Sequence, residues 1–293
     1  MFKVFLLSVK EANLLRRRIR NVLDLRQKFL DNSHHDAIHD LRVGSRRLRE
    51  ALDYLQKSIP PKWQTRLMKL SKRVTKSLGR AREIEVNLDL LERFREAEKL
   101  HPIFAELLVH MQKEELEKRR ARAIKKVSQK QFAAYEKFLS RLHGTKTIFP
   151  TESDILQKRL EEFASFGWGA LNDDRLHDLR IRAKRLRYAM EIQQTLKNQP
   201  LGRLKNRIRK LQEVLGQIHD LFVLADVVKG LLEEWDDPEM KLVPAGLNTI
   251  YQTLVQEKIA LYPRVYPLYS KVILSLEPTA SIQSTQPLTS TLN

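Results

Sequence analysis

Apolar residues recur every three or four positions along most of the chain. Leu67, Leu70, Val74 and Leu78 form one such series, and this spacing matches the period of an α-helix, about 3.6 residues per turn. No stretch alternates apolar and polar residues for long, as a half-buried strand would. Glycine, which weakens helix interiors, accounts for only 9 of 293 residues. We therefore predict an all-α protein.

Prolines and short polar stretches divide these helical series. The breaks lie at Pro60, Pro61, Pro102, Pro200, Pro238, Pro244 and Pro263 and in residues 143–150 and 167–174. Residues 143–150 are the predicted boundary between two halves, residues 1–145 and 146–276. Residues 277–293 are rich in serine, threonine, glutamine and proline, and we predict a disordered tail there.

Apolar run length and cysteine content exclude several classes of protein. No apolar run approaches the roughly 20 residues of a membrane span, and residues 4–9 are too short an apolar stretch for a signal peptide. The absence of cysteine excludes disulfides, thiolate metal sites and cysteine nucleophiles. We expect a cytoplasmic protein that does not associate with membranes.

The charge of the chain indicates a polyanionic partner. Lysine and arginine number 54 against 36 acidic residues, a formal charge of +18. The excess is concentrated in two segments. Residues 39–82 contain 13 basic and three acidic residues, and residues 175–210 contain 12 and two, so that each segment carries +10.

The two basic segments belong to an internal repeat. Residues 39–52 align with residues 177–190 at an offset of 138, with eight identities in 14 positions. Residues 78–86 align more weakly with residues 215–223, at an offset of 137. Because the order of the two matches is preserved, we interpret the halves as products of a duplication.

Each copy of the repeat places its basic residues on one helix face. His39, Arg42, Arg46 and Arg49 fall within an arc of about 80° when projected down a helix. Leu41, Leu48 and Leu52 lie on the opposite face and are predicted to be buried. The second copy has His177, Arg180, Lys184 and Arg187 opposite Leu179, Leu186 and Met190. Arg47 and Arg185 fall at the rim of these stripes.

The helix that follows each stripe adds further cations. In the first half these are Lys69, Lys72, Arg73, Lys76, Arg80 and Arg82. In the second half they are Arg209, Lys210 and His219, and this row is less uniform because Glu213 aligns with Lys76. Like charges three or four residues apart destabilise a helix unless an anion neutralises them. We therefore expect a phosphate-rich ligand, which arginine, lysine and protonated histidine all bind.

The stripes favour a ligand with phosphates but few bases. Proteins that bind single strands intersperse aromatic side chains for stacking, and only Tyr188 lies on a stripe. Proteins that read duplexes present asparagine or glutamine from a recognition helix, and the stripes have almost none. A linear polyphosphate fits best, and a general nucleic-acid-binding protein is the second hypothesis.

The paired motifs resemble those of the CHAD family, the conserved histidine α-helical domain. The resemblance rests on one pattern that occurs in residues 39–49 and again in residues 177–187. A histidine is followed, after two residues, by an arginine. After three further residues come two basic residues, a leucine and an arginine. Leu78-Gly79 and Leu215-Gly216, followed by Glu83 and Asp220, complete the pattern. The resemblance implies two pseudo-symmetric antiparallel four-helix bundles whose basic faces line a central groove or pore that binds inorganic polyphosphate.

The resemblance also assigns the residues of the polyphosphate site. One wall is His39, Arg42, Arg46, Arg47 and Arg49, and the other is His177, Arg180, Lys184, Arg185 and Arg187. Lys69, Lys72, Arg73, Lys76, Arg80 and Arg82, together with Arg209, Lys210 and His219, extend the two walls. Association with polyphosphate granules is consistent with such a ligand.

A metal site or a catalytic role fits the sequence less well. His34, His35 and His39 are close together, but the second copy has Asn172 and Asp173 where the first copy has His34 and His35. We expect no metal and no cofactor. Neither metal-binding carboxylates beside the basic rows nor a phosphate-cradling loop is evident, so we predict a noncatalytic protein. A phosphohistidine or phosphohydrolase enzyme is the catalytic alternative.

Four acidic residues of the motifs are predicted to be structural. We expect Asp40 and Asp178, which point away from the centre of the stripes, to pair with a neighbouring helix. Glu83 and Asp220 are interpreted as partners of buried arginines.

Overall fold

The computed structural model describes residues 7–31, 36–127, 129–142, 155–169, 172–197, 201–234 and 242–276, and these residues contain helices and no strands. In the first half the helices are α1 (Val9–Leu30), α2 (Ala37–Tyr54), α3 (Pro61–Ser77), α4 (Gly79–Glu96), α5 (Pro102–Lys126) and α6 (Gln129–Leu139). The second half forms α7 (Ile155–Ala164), α8 (Asp173–Lys197), α9 (Gly202–Glu234), α10 (Leu242–Ala260), a 3₁₀ turn (Tyr262–Arg264) and α11 (Val265–Ile273). The predicted all-α fold is confirmed. The predicted boundary at residues 143–150 and the predicted tail, residues 277–293, lie outside the described residues.

Local sequence signals account for several helix starts. Ser8 begins α1 with a capping box, in which the Glu11 amide donates to Ser8 Oγ and the Ser8 amide donates to Glu11 Oε2. Pro61 and Pro102 occupy the first turns of α3 and α5, where the missing N–H of proline costs no hydrogen bond.

The buried apolar residues form three clusters. The first lies mainly among α1, α2, α3 and α6, and the second lies among α7, α8, the N-terminal part of α9 and α11. The third cluster combines α4 and α5 with the C-terminal part of α9 and with α10, and it includes Leu91, Leu108, Leu224 and Leu254. The two halves of the sequence therefore share a core.

The repeat motifs lie in α2 and α8, and these two helices pack against each other. Leu41, Leu48, Leu52, Leu179, Leu186 and Met190 are all at most 1% exposed, so the predicted apolar faces are confirmed. Gly44 allows α1 to approach α2, because a Cβ there would lie 2.9 Å from Leu25 Cδ1. At the aligned position of α8, Arg182 instead contacts α7 through a hydrogen bond to the Glu162 carbonyl.

The second match of the repeat has different backbones in the two halves. In the first half, Leu78 separates α3 from α4, whereas α9 continues through Leu215 and Gly216 without interruption. The break at Leu78 leaves carbonyl groups at the end of α3 without helical partners, and one of them accepts a hydrogen bond from a basic side chain of the candidate site.

Several polar contacts connect the halves beside the α2–α8 interface. The Tyr54 hydroxyl donates to Gln193 Oε1 at 2.5 Å. Arg159 Nη2 lies 2.8 Å from Asp53 Oδ2. Glu191 Oε2 of α8 lies 3.3 Å from Arg47 Nε and 4.0 Å from Arg18 Nη2. Among the helices in the described part of the chain, none is both long and apolar enough to cross a bilayer.

Candidate anion-binding site

The basic stripes of the two repeat copies meet between α2 and α8. The positive charge of Arg46, on α2, acts on Arg180 and Lys184 of α8 and on Arg42 of its own helix, lowering the pKa of all three. We call the partly buried set Arg42, Arg46, Arg49, Arg180, Lys184 and Arg187 the cation cluster. Three of its members come from each half of the sequence.

Lys184 shows the effect of this clustering most clearly. Its pKa falls from an ordinary 10.5 to about 6, mainly because burial removes water from the ammonium group, and then because Arg180, Arg46 and Arg187 repel its charge. Asp220 opposes the shift without cancelling it. At pH 7 the amine is therefore mostly neutral in the absence of an anion.

Arginines of the cation cluster are also desolvated. Burial lowers the pKa of Arg42 to about 10 and lowers those of Arg180 and Arg49 in the same direction. Arg42 Nη1 donates to the Thr75 carbonyl at 2.7 Å and so binds the C-terminal end of α3. Gly79 leaves room for this contact, because a Cβ there would lie 3.2 Å from the same nitrogen.

Two arginines of the cation cluster have a donor without a partner among the described residues. The Nε–H groups of Arg180 and Arg187 are buried and donate to no acceptor in the described residues. A buried N–H that lacks an acceptor is costly, and an oxyanion would remove that cost. The Arg187 guanidinium also lies 5.1 Å from the centre of the buried Tyr188 ring.

The histidines of the stripes are neutral at pH 7 in this structure. Burial, followed by the nearby cations, lowers the pKa of His39 and His177 below 6.5 and that of His219 to about 3. The rings of His177 and His219 lie 5.3 Å apart. The sequence predicts protonated histidines as donors. The structure differs because burial, and then the same cations that attract phosphate, oppose protonation.

Few carboxylates balance this charge. Asp220 is close enough to Arg180 for each to shift the other's pKa, although burial raises the pKa of Asp220 overall. Glu83 lies 3.3 Å from the exposed Arg80, and its charge also favours the ionised form of Arg42. Asp220 is thus near a buried arginine, as predicted, whereas the ion pair of Glu83 is with an exposed one. The prediction for Asp178 is wrong, because it pairs with Arg182 of its own helix at 2.8 Å.

Other predicted site residues lie apart from the cation cluster or at its edge. Arg47 is held by Glu191, and Arg82 pairs with Glu85 at 3.1 Å. Arg209 is exposed and pairs with Glu213. The remaining predicted cations are exposed: Lys69, Lys72, Arg73, Lys76, Arg185 and Lys210.

The structure adds charged residues that the sequence motifs do not include. Arg18 of α1 and Glu191 of α8 join Arg47, and Arg159 of α7 acts on Glu50, whose pKa is raised by burial. Arg93 of α4 acts on Asp220. No periodicity or repeat marks these residues, because each partner comes from a distant part of the chain.

No group of histidine, aspartate and glutamate in the described residues has the arrangement of a metal site. Of the predicted histidine triplet, His34 and His35 lie outside the described residues.

The fold and the site together define an all-helical protein in which two repeated helices, one from each half, bring rows of cations together. A family model of the CHAD domain matches residues 13–229, and the chain belongs to this family.

Two solved structures have the same fold. The crystal structure of the CHAD domain from the plant Ricinus communis aligns with a TM-score of 0.67 and 20% identity, covering 98% of this chain and 96% of that one. PptA from Streptomyces chartreusis aligns with a TM-score of 0.64 and 16% identity, covering 89% of this chain and 98% of that one. At these identities the likeness shows the fold alone. No protein of curated function matches the chain.

Proposed function

We propose that the protein binds inorganic polyphosphate without catalysis, with the phosphate chain lying along the cation cluster between α2 and α8. The observation that carries this proposal is the convergence of Arg46, Arg180 and Lys184, which suppresses the charge of Lys184. Like charges brought together and partly desolvated destabilise the free protein. A polyanion would relieve that repulsion, restore the charge of Lys184 and accept the unpartnered N–H groups of Arg180 and Arg187.

The geometry of the cation cluster favours an extended phosphate chain as the ligand over a nucleic acid recognised through its bases. The cations follow helix faces, and Tyr188, the aromatic residue on a stripe, is buried. Base stacking on the stripes therefore has no exposed platform in α2 or α8. The exposed cations of α3, from Lys69 to Lys76, and those of α9 would extend the path of a longer chain.

A competition measurement tests the proposal against nucleic-acid binding. A fluorescently labelled single-stranded RNA or a DNA duplex is bound to the protein and displaced with polyphosphate. We expect polyphosphate to displace either at far lower phosphate-equivalent concentration. Equal or reversed preference would reject polyphosphate as the favoured ligand and support the nucleic-acid alternative. Phosphate release or phosphohistidine formation with added Mg²⁺ would instead support the catalytic alternative.

A charge-reversal pair locates the site. Arg46→Glu combined with Lys184→Glu is expected to abolish polyphosphate binding while the helical circular dichroism is retained. The matched control is Lys113→Glu with Lys271→Glu, which changes the net charge equally at two exposed positions of α5 and α11. Equal losses in the two double variants would mean that only the net charge matters. Loss of helicity in the first would mean that its residues are structural.

A further inference from the structure

A small pocket opens beside the cation cluster on the second half of the molecule. Its volume is about 280 Å³, and it lies between the start of α8 and the middle of α9. We call it the side pocket and define it by His177, His219, Leu176, Leu215, Phe222 and Asp174. It is close to the lower limit for small-molecule sites, roughly 300 Å³, so it suits one ring system and excludes a folded partner.

The side pocket is lined mainly by aromatic and apolar side chains. The His177 and His219 rings lie 5.3 Å apart at 43°, and their lowered pKa values leave both uncharged at pH 7. The Phe222 ring is 38% exposed although it is apolar, and Lys258 Nζ lies 5.4 Å from its centre. That ammonium is in turn held by both carboxylate oxygens of Asp173, at 3.0 and 2.7 Å.

The side pocket and the cation cluster adjoin. His177 precedes Arg180 by one helical turn on α8, and the charges of Arg180 and Lys184 both lower its pKa. Those two cations and Arg46 act on His219 as well. A ligand with its phosphates on Arg180 and Lys184 could therefore place its end in the pocket.

The first half of the molecule is built differently at the matching positions. The repeat aligns His219 with Arg82 and Phe222 with Glu85. Arg82 Nη1 and Glu85 Oε2 form an ion pair at 3.1 Å, with side chains that are 23% and 16% exposed. Where the first copy has charges that neutralise each other, the second copy has an apolar concavity. A continuous phosphate chain alone would use neither the exposed ring nor the concavity.

We propose that the side pocket binds the purine base of a nucleoside polyphosphate whose phosphates occupy the cation cluster. The inference rests on the proposed function, because it takes the cluster as the phosphate site. A purine could stack on the exposed Phe222 ring, as bases do on aromatic side chains. Asp174 at the rim supplies a carboxylate that can accept a hydrogen bond from an exocyclic amino group.

The test compares two ligands with the same number of phosphates. The affinities of ATP and of inorganic tripolyphosphate are measured by calorimetry without divalent metal. We expect the wild-type protein to bind ATP about tenfold more tightly, the usual order of one base-stacking contact. Phe222→Ala should remove this preference by weakening ATP alone, and Phe222→Leu, which keeps an apolar side chain of similar bulk, should remove most of it.

Two controls separate the possible failures. Ile103→Ala, at an exposed apolar residue of α5, should leave both affinities unchanged, whereas Arg46→Glu should weaken both ligands. Equal wild-type affinities, or a preference that survives in both Phe222 variants, would overturn the pocket assignment and leave polyphosphate binding intact. Failure of tripolyphosphate and long polyphosphate to bind at all would reject the proposed function itself.

Discussion

The charge of Lys184 depends on its position among Arg180, Arg187 and Arg46. The pKa of about 6 means that the folded protein releases a proton there at neutral pH, while an unfolded chain keeps it up to about the ordinary value of 10.5. Bound phosphates would raise the pKa again by supplying negative charge. Ligand binding in this range would therefore be coupled to proton uptake.

This coupling predicts a pH-dependent affinity. Between pH 7 and pH 9 we expect the affinity for long-chain polyphosphate to rise as the pH falls, by up to about one log unit per pH unit for one proton taken up. The histidines contribute little in this range, because their pKa values are lowered. Lys184→Met should flatten the profile, measured by calorimetry at several pH values, and Lys210→Met on the exposed face of α9 should not.

The pH dependence of the stability of the ligand-free protein tests whether the pKa of Lys184 is lowered. Because the unfolded chain binds more protons between pH 6 and pH 10.5, unfolding becomes less favourable as the pH rises through that window. Urea titrations should show this rise in the wild type and a smaller rise in Lys184→Met. A wild-type stability that falls with pH over the window, with no effect of the substitution, would contradict the lowered pKa.

The positions of the histidines could be predicted from the sequence, but their protonation states could not. Spacing alone places His39 and His177 on the basic stripes, and the structure brings His177 beside His219. Their protonation could not be predicted, because it depends on burial and on Arg180, Lys184 and Arg82, which act through space. The side pocket could not be predicted either, because Phe222 is an ordinary apolar position in the sequence and only the fold leaves it 38% exposed.

Among the helices, the contact between α2 and α8 is what creates the site. Periodicity predicts the helical class and the apolar faces of α2 and α8 correctly. It is less reliable where two faces are apolar: in α5, Ile103 is 71% exposed although it begins an apolar series, while Ala105 and Leu108 are fully buried. The neighbouring helices α4, α9 and α10 select the buried face, and a single-helix pattern does not contain that information.

Glu191 is predicted to hold α1, α2 and α8 together. Its side chain is 12% exposed and accompanies Arg18 and Arg47. Glu191→Gln should lower the free energy of unfolding in urea by about 1–3 kcal/mol, because two arginines lose their counter-charge in a partly buried place. It should not weaken polyphosphate binding, since it removes a negative charge.

Glu213→Gln is the matched control for this interaction. Glu213 also pairs with an arginine, Arg209, but both side chains are more than half exposed, so we expect a change within about 0.5 kcal/mol. Equal costs in the two variants would show that Glu191 has no special role. The motif places Arg47 on the wall of the polyphosphate site. Because Arg47 pairs with Glu191, we assign it instead to the interface between α2 and α8.

For the molecule as a whole, the two repeat copies are joined by a common apolar core as well as by the α2–α8 contact. Leu91 and Leu108 of the first half pack in one cluster with Leu224 and Leu254 of the second. This cluster belongs to α4, α5, α9 and α10, so it joins the halves at a place separate from the contact between α2 and α8. The division into residues 1–145 and 146–276 therefore describes sequence repeats that share part of their interior.

The salt dependence of the affinity for polyphosphate tests whether binding is electrostatic. Six members of the cation cluster contacting phosphates would release a similar number of counterions, and the affinity should fall about 10³-fold between 50 and 200 mM salt. Polyphosphate titrations at the two concentrations, with circular dichroism to verify the fold, provide the measurement. A flat response would exclude the charge-based mechanism.

The sequence by itself determined the helical class, the repeat, the buried leucine faces and the residues that carry the positive charge. These properties follow from the short-range periodicity of a helix, which relates residues a few positions apart. Only the tertiary structure decided that Arg46 meets Lys184, that the histidines are neutral, that Arg47 pairs with Glu191 and that a pocket adjoins His219. Those results depend on desolvation and on side chains brought together from different helices, which no local pattern records.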